Sequence, residues 1–301
     1  MTAAAGSREH SKDDLLRLEP RHSSFVGIDS DGCVFNTMEL KQKRCMHGLI
    51  VSNWNLGPIE KAVRETAEFV NLYSKWRGGN RFPALLMVFE LLRGHPAAKA
   101  SGVRLPETAA LKAFIESGRP LGNPELEKIA AETRDPELET LLKWSRAVNA
   151  LIAKTVKNIP PFPWALESIR RISENSDAIC VSQTPTEALA REWEENGLLG
   201  FVRIIAGQEL GSKKDIIAMA ARGRYQPDRT LIIGDAPGDQ AAARENNALF
   251  FPINPGHEAA SWKRFFEEAY DRFLQGAFAG PYQAALIREF SALLPETPPW
   301  M

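Results

Sequence analysis

The sequence predicts an α/β protein: a doubly wound parallel sheet whose alternation of strands and helices is broken once by a long, all-helical insertion. Three observations carry this. Short apolar runs at residues 25–28, 178–181 and 230–233 each stop at a polar or glycine residue, as strands buried on both faces do. Helical patterns fill the intervals between the later runs. Residues 39–158 carry helical periodicity and no strand pattern, so the insertion directly follows the first strand.

In chain order, residues 1–20 are polar and read as an N-terminal tail without the apolar core of a signal peptide. The first strand then opens a core that resumes near residue 159. Inside the insertion, Ile59, Val63, Thr66, Val70 and Tyr73 recur at spacings of three and four, one face of a helix. A second helix over 84–92 begins after Pro83 and is apolar nearly all round, the mark of burial between neighbours. Further helices are expected over 106–117, 124–133 and 136–156. The prolines of Asn158-Ile-Pro-Pro-Phe-Pro-Trp164 stiffen the return to the core. There, helices are expected at 164–174, 185–196, 214–221 and 239–246, with two weaker strands at 202–206 and 248–251. An amphipathic helix over 258–274 carries Trp262, Phe265, Phe266, Tyr270 and Phe273, a stripe that either packs on the core or forms a dimer contact. A last helix covers 281–294.

Composition narrows the class. A chain of 301 residues holds one large domain or two ordinary ones. Hydrophobic residues at 44% and charged residues at 25% fit a globular, water-exposed chain. With 37 basic against 38 acidic residues there is no basic surplus for nucleic acid or an anionic membrane. No apolar run is long enough to span a bilayer. Cys33, Cys45 and Cys180 have neither paired nor metal-ligand spacing, so reduced thiols in a cytoplasm are expected.

The most informative stretch is the first strand together with the loop behind it, Phe25-Val-Gly-Ile-Asp-Ser-Asp-Gly-Cys-Val-Phe-Asn-Thr37. Asp29 and Asp31 lie two apart, so on an extended backbone they point the same way from the end of a buried strand. Two acids in one small volume repel, and a cation beside them removes that cost. Alone, Asp-x-Asp-Gly also resembles part of a calcium loop, but Cys33, Val34 and Phe35 do not supply the further acids such a loop needs.

Three other stretches keep this one company. Ser182 follows the second apolar run, where a hydroxyl and free N–H groups either hold a phosphate oxygen or make an ordinary strand-to-helix turn. Thr184-Pro-Thr-Glu187 behind it fits a capping box. In Gly211-Ser-Lys-Lys-Asp215, the lysines are either a solvated surface or a source of positive charge for the site, with Lys213 favoured over Lys214. In Gly234-Asp-Ala-Pro-Gly-Asp239, Asp235 emerges at a strand end, where a buried acid needs a partner. Asp239 falls at the start of a helix, where an acid also suits the helix dipole.

Together, in this order, the four stretches resemble the haloacid dehalogenase superfamily, on Asp29, Asp31, Gly32 and Thr37, then Ser182, then Lys213 or Lys214, then Gly234, Asp235 and Asp239. Gln183 stands where the family often has Asn, and the Pro that commonly follows the lysine is missing. The resemblance implies a Rossmann-like core with phosphoryl transfer through an aspartyl-phosphate: Asp29 as nucleophile, Asp31 as acid and base, and Ser182, Gln183 and a lysine around the phosphoryl group. It also implies Mg2+ held by Asp29, the backbone carbonyl of Asp31, and Asp235, with Asp239 behind or acting through water. An acid at Asp31 points away from the dehalogenase members. Among relatives the insertion resembles the helical cap of the phosphoglycolate phosphatase-like group, though it is larger.

The organisation this implies is a polar tail over 1–20, a catalytic core over 21–38 and 159–257, a helical cap over 39–158 and a C-terminal helical extension on the core over 258–301. In the cap, Trp76, Arg77, Asn80 and Arg81 flank Gly78-Gly79, a break between helices that is either an exposed loop or a mobile segment that selects substrate. The expected activity is a magnesium-dependent phosphatase acting on a small phosphorylated metabolite, as a monomer or homodimer. A phosphomutase with the same intermediate and a non-catalytic phosphate-binding protein are the alternatives.

Overall fold

The computed structural model describes residues 10–301, and the part of the expected polar tail before residue 10 lies outside them. The chain divides into two compact units, one running to Thr37 and resuming over Asn158–Leu293, the other comprising Met38–Lys157 and Leu294–Met301.

The first unit is built on five strands: β1 (Phe25–Ile28), β2 (Asp177–Val181), β3 (Ile204–Ala206), β4 (Thr230–Gly234) and β5 (Leu249–Pro252). They form one parallel sheet in the order β3-β2-β1-β4-β5. Every residue of β1 to β4 is buried, which is why their sequences are nearly continuous apolar runs. Helices Ala165–Asn175, Thr186–Glu195, Lys213–Ala221 and Pro237–Glu245 alternate with the strands, making the sheet doubly wound and Rossmann-like. Val26, Ile28, Cys180, Leu231 and Ile233 share one core with Ile169, Ile172, Leu189 and Trp193. Each large side chain buried there stabilises the unit by about 1.5–3 kcal/mol.

Two segments of this unit differ from the sequence expectation. Residues 12–16 form a short helix whose end is capped reciprocally by Ser11 and Asp14. Leu15 and Leu18, three apart, are buried, so this stretch is packed rather than a polar tail. The single helix expected over 258–274 is two helices, Glu258–Arg264 and Tyr270–Leu274, joined by a π-type turn at Phe265–Ala269. Phe265 and Tyr270 are five apart, a spacing that a regular α-helix sends to different faces. The wider turn returns them to one face, where their rings stack at 5.4 Å. Trp262, Phe265, Tyr270 and Phe273 are thereby all buried in the same core as β1 and β4.

The chain leaves and re-enters this unit at one stitched point. Phe162 N–H donates to the Val34 carbonyl at 2.8 Å, and Phe35 pairs antiparallel with Pro161.

The second unit has no strand among the described residues. Its main helices are Glu60–Leu72, Arg81–Gly94, Ala109–Glu116, Asn123–Thr133 and Pro136–Thr155, packed around Phe82, Phe89 and Trp144. Leu294–Met301 groups with this unit and not with the rest of the C-terminal extension. Lys75 N–H donates to the Pro295 carbonyl at 3.3 Å, and the Trp300 ring lies 5.7 Å from that of Phe69. Among the described residues, no helix is long and apolar enough to cross a membrane.

Candidate active site

Strand register assembles the site. Ile28 of β1 lies opposite Cys180 of β2 and Ile233 of β4, so the residues just beyond those strands emerge together at one edge of the sheet. Asp29, Ser182 and Asp235 are those residues, and all three are buried. Asp29 N–H donates to the Ile233 carbonyl at 2.9 Å, which holds the first acid against β4. The crevice beyond the carboxyl ends of the strands is where ligands bind in open parallel sheets.

Lys213, at the first turn of its helix, reaches into this group. Its Nζ lies 2.9 Å from Asp29 Oδ1 and also donates to Asp239 Oδ1. Lys214 turns the other way, to the half-exposed Glu245 at 2.8 Å. Asp239 serves two partners, because its Oδ2 accepts the Ala236 N–H at 3.1 Å and so also caps the helix that it opens. Burial alone would lower the Lys213 pKa, but the charges of Asp239 and Asp29 outweigh it and hold the ammonium protonated. Burial pushes the Asp29 carboxyl well above its ordinary range; Lys213 opposes this, while Asp239 and Asp235 add to it.

One carboxylate oxygen each from Asp29, Asp235 and Asp239 lie within 4.8 Å of one another. All three acids are buried, Lys213 pairs with two of them, and the donor set is all oxygen. Such a set fits a hard divalent ion of the magnesium type. The Asp31 side chain belongs to a different arrangement: its Oδ1 accepts the Thr37 hydroxyl and its Oδ2 accepts the Thr184 hydroxyl at 2.5 Å. Ser182 Oγ accepts the Thr184 N–H at 3.3 Å, leaving the serine's own proton available for an acceptor in the crevice. Gln183 is exposed and donates to the Gly211 carbonyl at 3.1 Å.

The capping box expected at Thr184 is not formed. The helix begins at Thr186, and its N–H is accepted instead by Glu209 at 3.0 Å. An ionised carboxylate is the stronger acceptor, and it frees Thr184 to face Asp31. Thr184 is the site residue that the sequence reading missed, because a capping pattern explained it fully. Ser30, between the two acids, is also fixed: Trp193 Nε1 donates to its hydroxyl at 3.0 Å.

In the helical unit, each of the four residues named for specificity has at least one partner from that unit. Arg77 is buried and donates to the Leu72 carbonyl at 2.7 Å. Arg81 donates to the Ser145 carbonyl and hydroxyl and, at 2.7 Å, to Asn149. Asn80 caps the helix behind it and donates to the Leu121 carbonyl. Trp76 packs edge-on to Phe69 at 6.3 Å.

Neither a protein-family model nor a curated protein matches this sequence. Solved structures similar to it are haloacid dehalogenase-like hydrolases, phosphoglycolate phosphatases and phosphoglucomutases. A haloacid dehalogenase-like hydrolase from Streptococcus pneumoniae is 17% identical, with a TM-score of 0.41 over 81% of this chain and 91% of that one. A provisionally named β-phosphoglucomutase from Bacteroides vulgatus is 14% identical, with a TM-score of 0.48 over 86% of this chain and 91% of that one. A predicted phosphoglycolate phosphatase from Haemophilus somnus is 12% identical, with a TM-score of 0.46 over 76% of this chain and 84% of that one.

Proposed function

We propose that the protein is a magnesium-dependent phosphatase that hydrolyses a small phosphomonoester through an aspartyl-phosphate on Asp29. The observation that carries this reading is the position of Asp29: buried at the end of the central strand, 2.9 Å from Lys213, and sharing a space with Asp235 and Asp239. An anionic nucleophile and an anionic phosphate repel, so attack needs positive charge at this point. Lys213 supplies part of it. Magnesium held by Asp29 and Asp235, with Asp239 alongside, would neutralise the rest of the charge on the transferring group.

In the first step an Asp29 carboxylate oxygen attacks phosphorus, the ester P–O bond breaks, and Asp31 gives its proton to the leaving oxygen. In the second, Asp31 takes a proton from water as that water attacks phosphorus. The bond to Asp29 then breaks and inorganic phosphate leaves. Ser182 and Lys213 hold phosphoryl oxygens throughout. The three unbridged, buried cysteines suit a reducing compartment, and we assign the protein to the cytoplasm.

The test is phosphate release from a broad panel of phosphorylated metabolites, with and without magnesium, by wild type and Asp29→Asn. The expected result is release that chelation abolishes and that Asp29→Asn lowers at least about 1,000-fold without unfolding the protein. Equal turnover in the two proteins sinks the nucleophile assignment. Isomerisation of a phosphorylated substrate without net phosphate release replaces hydrolysis with a mutase reaction. Phosphate binding with no turnover of either kind makes the protein a binding module.

A further inference from the structure

The loop after β2 is fastened from three directions, and its side chain of consequence is Thr184. Thr184 N–H is tied to the Ser182 hydroxyl at 3.3 Å, and its carbonyl accepts the Gln208 N–H at 3.1 Å. Its hydroxyl donates to Asp31 Oδ2 at 2.5 Å, across from the first catalytic loop. The segment 207–209 after β3 clamps this arrangement from behind. Glu209 accepts both the Thr186 N–H at 3.0 Å and its hydroxyl at 2.8 Å, and Gly207 N–H donates to that same hydroxyl at 3.2 Å. The approach needs glycine: a Cβ on Gly207 would stand 2.5 Å from the Thr186 nitrogen and 2.7 Å from the Thr184 carbonyl oxygen. Both are backbone atoms, which cannot swing aside as a flexible side chain does.

We propose that Thr184 is a positioning residue for Asp31, holding the carboxylate of the acid and base in one orientation from the loop that also carries Ser182. This rests on the phosphatase reading of the site. Thr37 holds Asp31 Oδ1 from the same loop as the acid itself, so it travels with that loop. Thr184 is different, because it fixes the carboxylate relative to Ser182, a group placed to bind the transferring phosphoryl. Proton transfer to a leaving oxygen is sensitive to such placement, since errors of about 1 Å cost turnover without changing affinity.

Two variants test it. Thr184→Val keeps the shape and removes the hydroxyl, and Thr184→Ser keeps the hydroxyl. The expected result is that Thr184→Val lowers kcat by about 10- to 100-fold while KM stays within about twofold, and that Thr184→Ser restores kcat to within about threefold of wild type. Crystal structures of wild type and Thr184→Val add a readout independent of turnover: Asp31 bonded to Thr184 in the first, and turned or split between orientations in the second. Unchanged kcat in Thr184→Val, a loss confined to KM, a serine variant as impaired as the valine one, or an unmoved Asp31 overturns the proposal. Failure of the phosphatase reading looks different, as an inactive wild type with the Asp31–Thr184 bond in place.

Discussion

Lys213 and Asp29 lie 2.9 Å apart at the carboxyl edge of the sheet, and the same ammonium also donates to Asp239. One partly buried cation thus ties the acid at the end of β1 to the acid in the first turn of the helix after β4. Removing it leaves two buried carboxylates uncompensated. Lys213→Met is expected to cost about 3–5 kcal/mol of stability without magnesium, and less with it, because the metal replaces part of the missing charge. Phosphate release is expected to fall at least about 100-fold. Lys214→Met, which loses only an exposed pair with Glu245, is expected to leave both properties nearly unchanged. Urea unfolding with and without magnesium, alongside steady-state kinetics, checks each of these outcomes.

Gly234 ends β4 hard against Asp239. A Cβ there would overlap Asp239 Cβ, Cγ and Oδ2, and Asp239 cannot yield freely because Lys213 and the Ala236 N–H both hold it. Gly234→Ala is therefore expected to lose about 1–3 kcal/mol and to lower phosphate release at least about tenfold. Gly238→Ala is the control: a Cβ at that helical position meets nothing within 4 Å, so stability should hold or rise slightly. Equal effects from the two substitutions would contradict the crowding argument.

His47 gives the helical unit a pH dependence. The ring is buried, and burial, with Arg64 and Lys43 adding to it, lowers its pKa to about 4. The unfolded chain takes up a proton near the ordinary value of 6.5 while the folded one does not. Stability therefore rises with pH between about 4 and 6.5 and is lost on acidification through that window, on the order of 3 kcal/mol in full. Denaturant unfolding of wild type and His47→Gln at pH 7 and pH 4.5 checks it. The variant should lose clearly less stability on acidification, and matching losses would assign the dependence to other groups.

What the sequence discloses depends on how local its signals are. Buried parallel strands announce themselves as short apolar runs, and an acid at the end of such a run stands out because water does not explain it. Asp29 and Asp235 are visible for that reason. Thr184 is hidden because a hydroxyl before Pro and Glu has a sufficient local explanation in helix capping, and the Glu209 that takes over the cap lies in another loop. The π-type turn at Phe265–Ala269 is hidden similarly, since a spacing of five between Phe265 and Tyr270 reads as the noise of an amphipathic pattern. Arg77 and Arg81 stand out beside a glycine pair, and the carbonyls they meet, Leu72 and Ser145, could not be read from the sequence. Residue type cannot reveal which distant carbonyl a guanidinium will meet.

The stitch between Val34 and Phe162, with Phe35 against Pro161, makes the large helical insertion topologically cheap. Both of its ends are anchored at neighbouring points of the sheet unit, so forming the stitch closes the whole intervening chain into one loop. Closure entropy grows only with the logarithm of loop length, so a long insertion costs little more to close than a short one. The segment Met38–Lys157 is in this sense an insertion whose entry and exit the sheet unit fixes side by side. What the sheet unit requires of the insertion is that its two ends return to Val34 and Phe162.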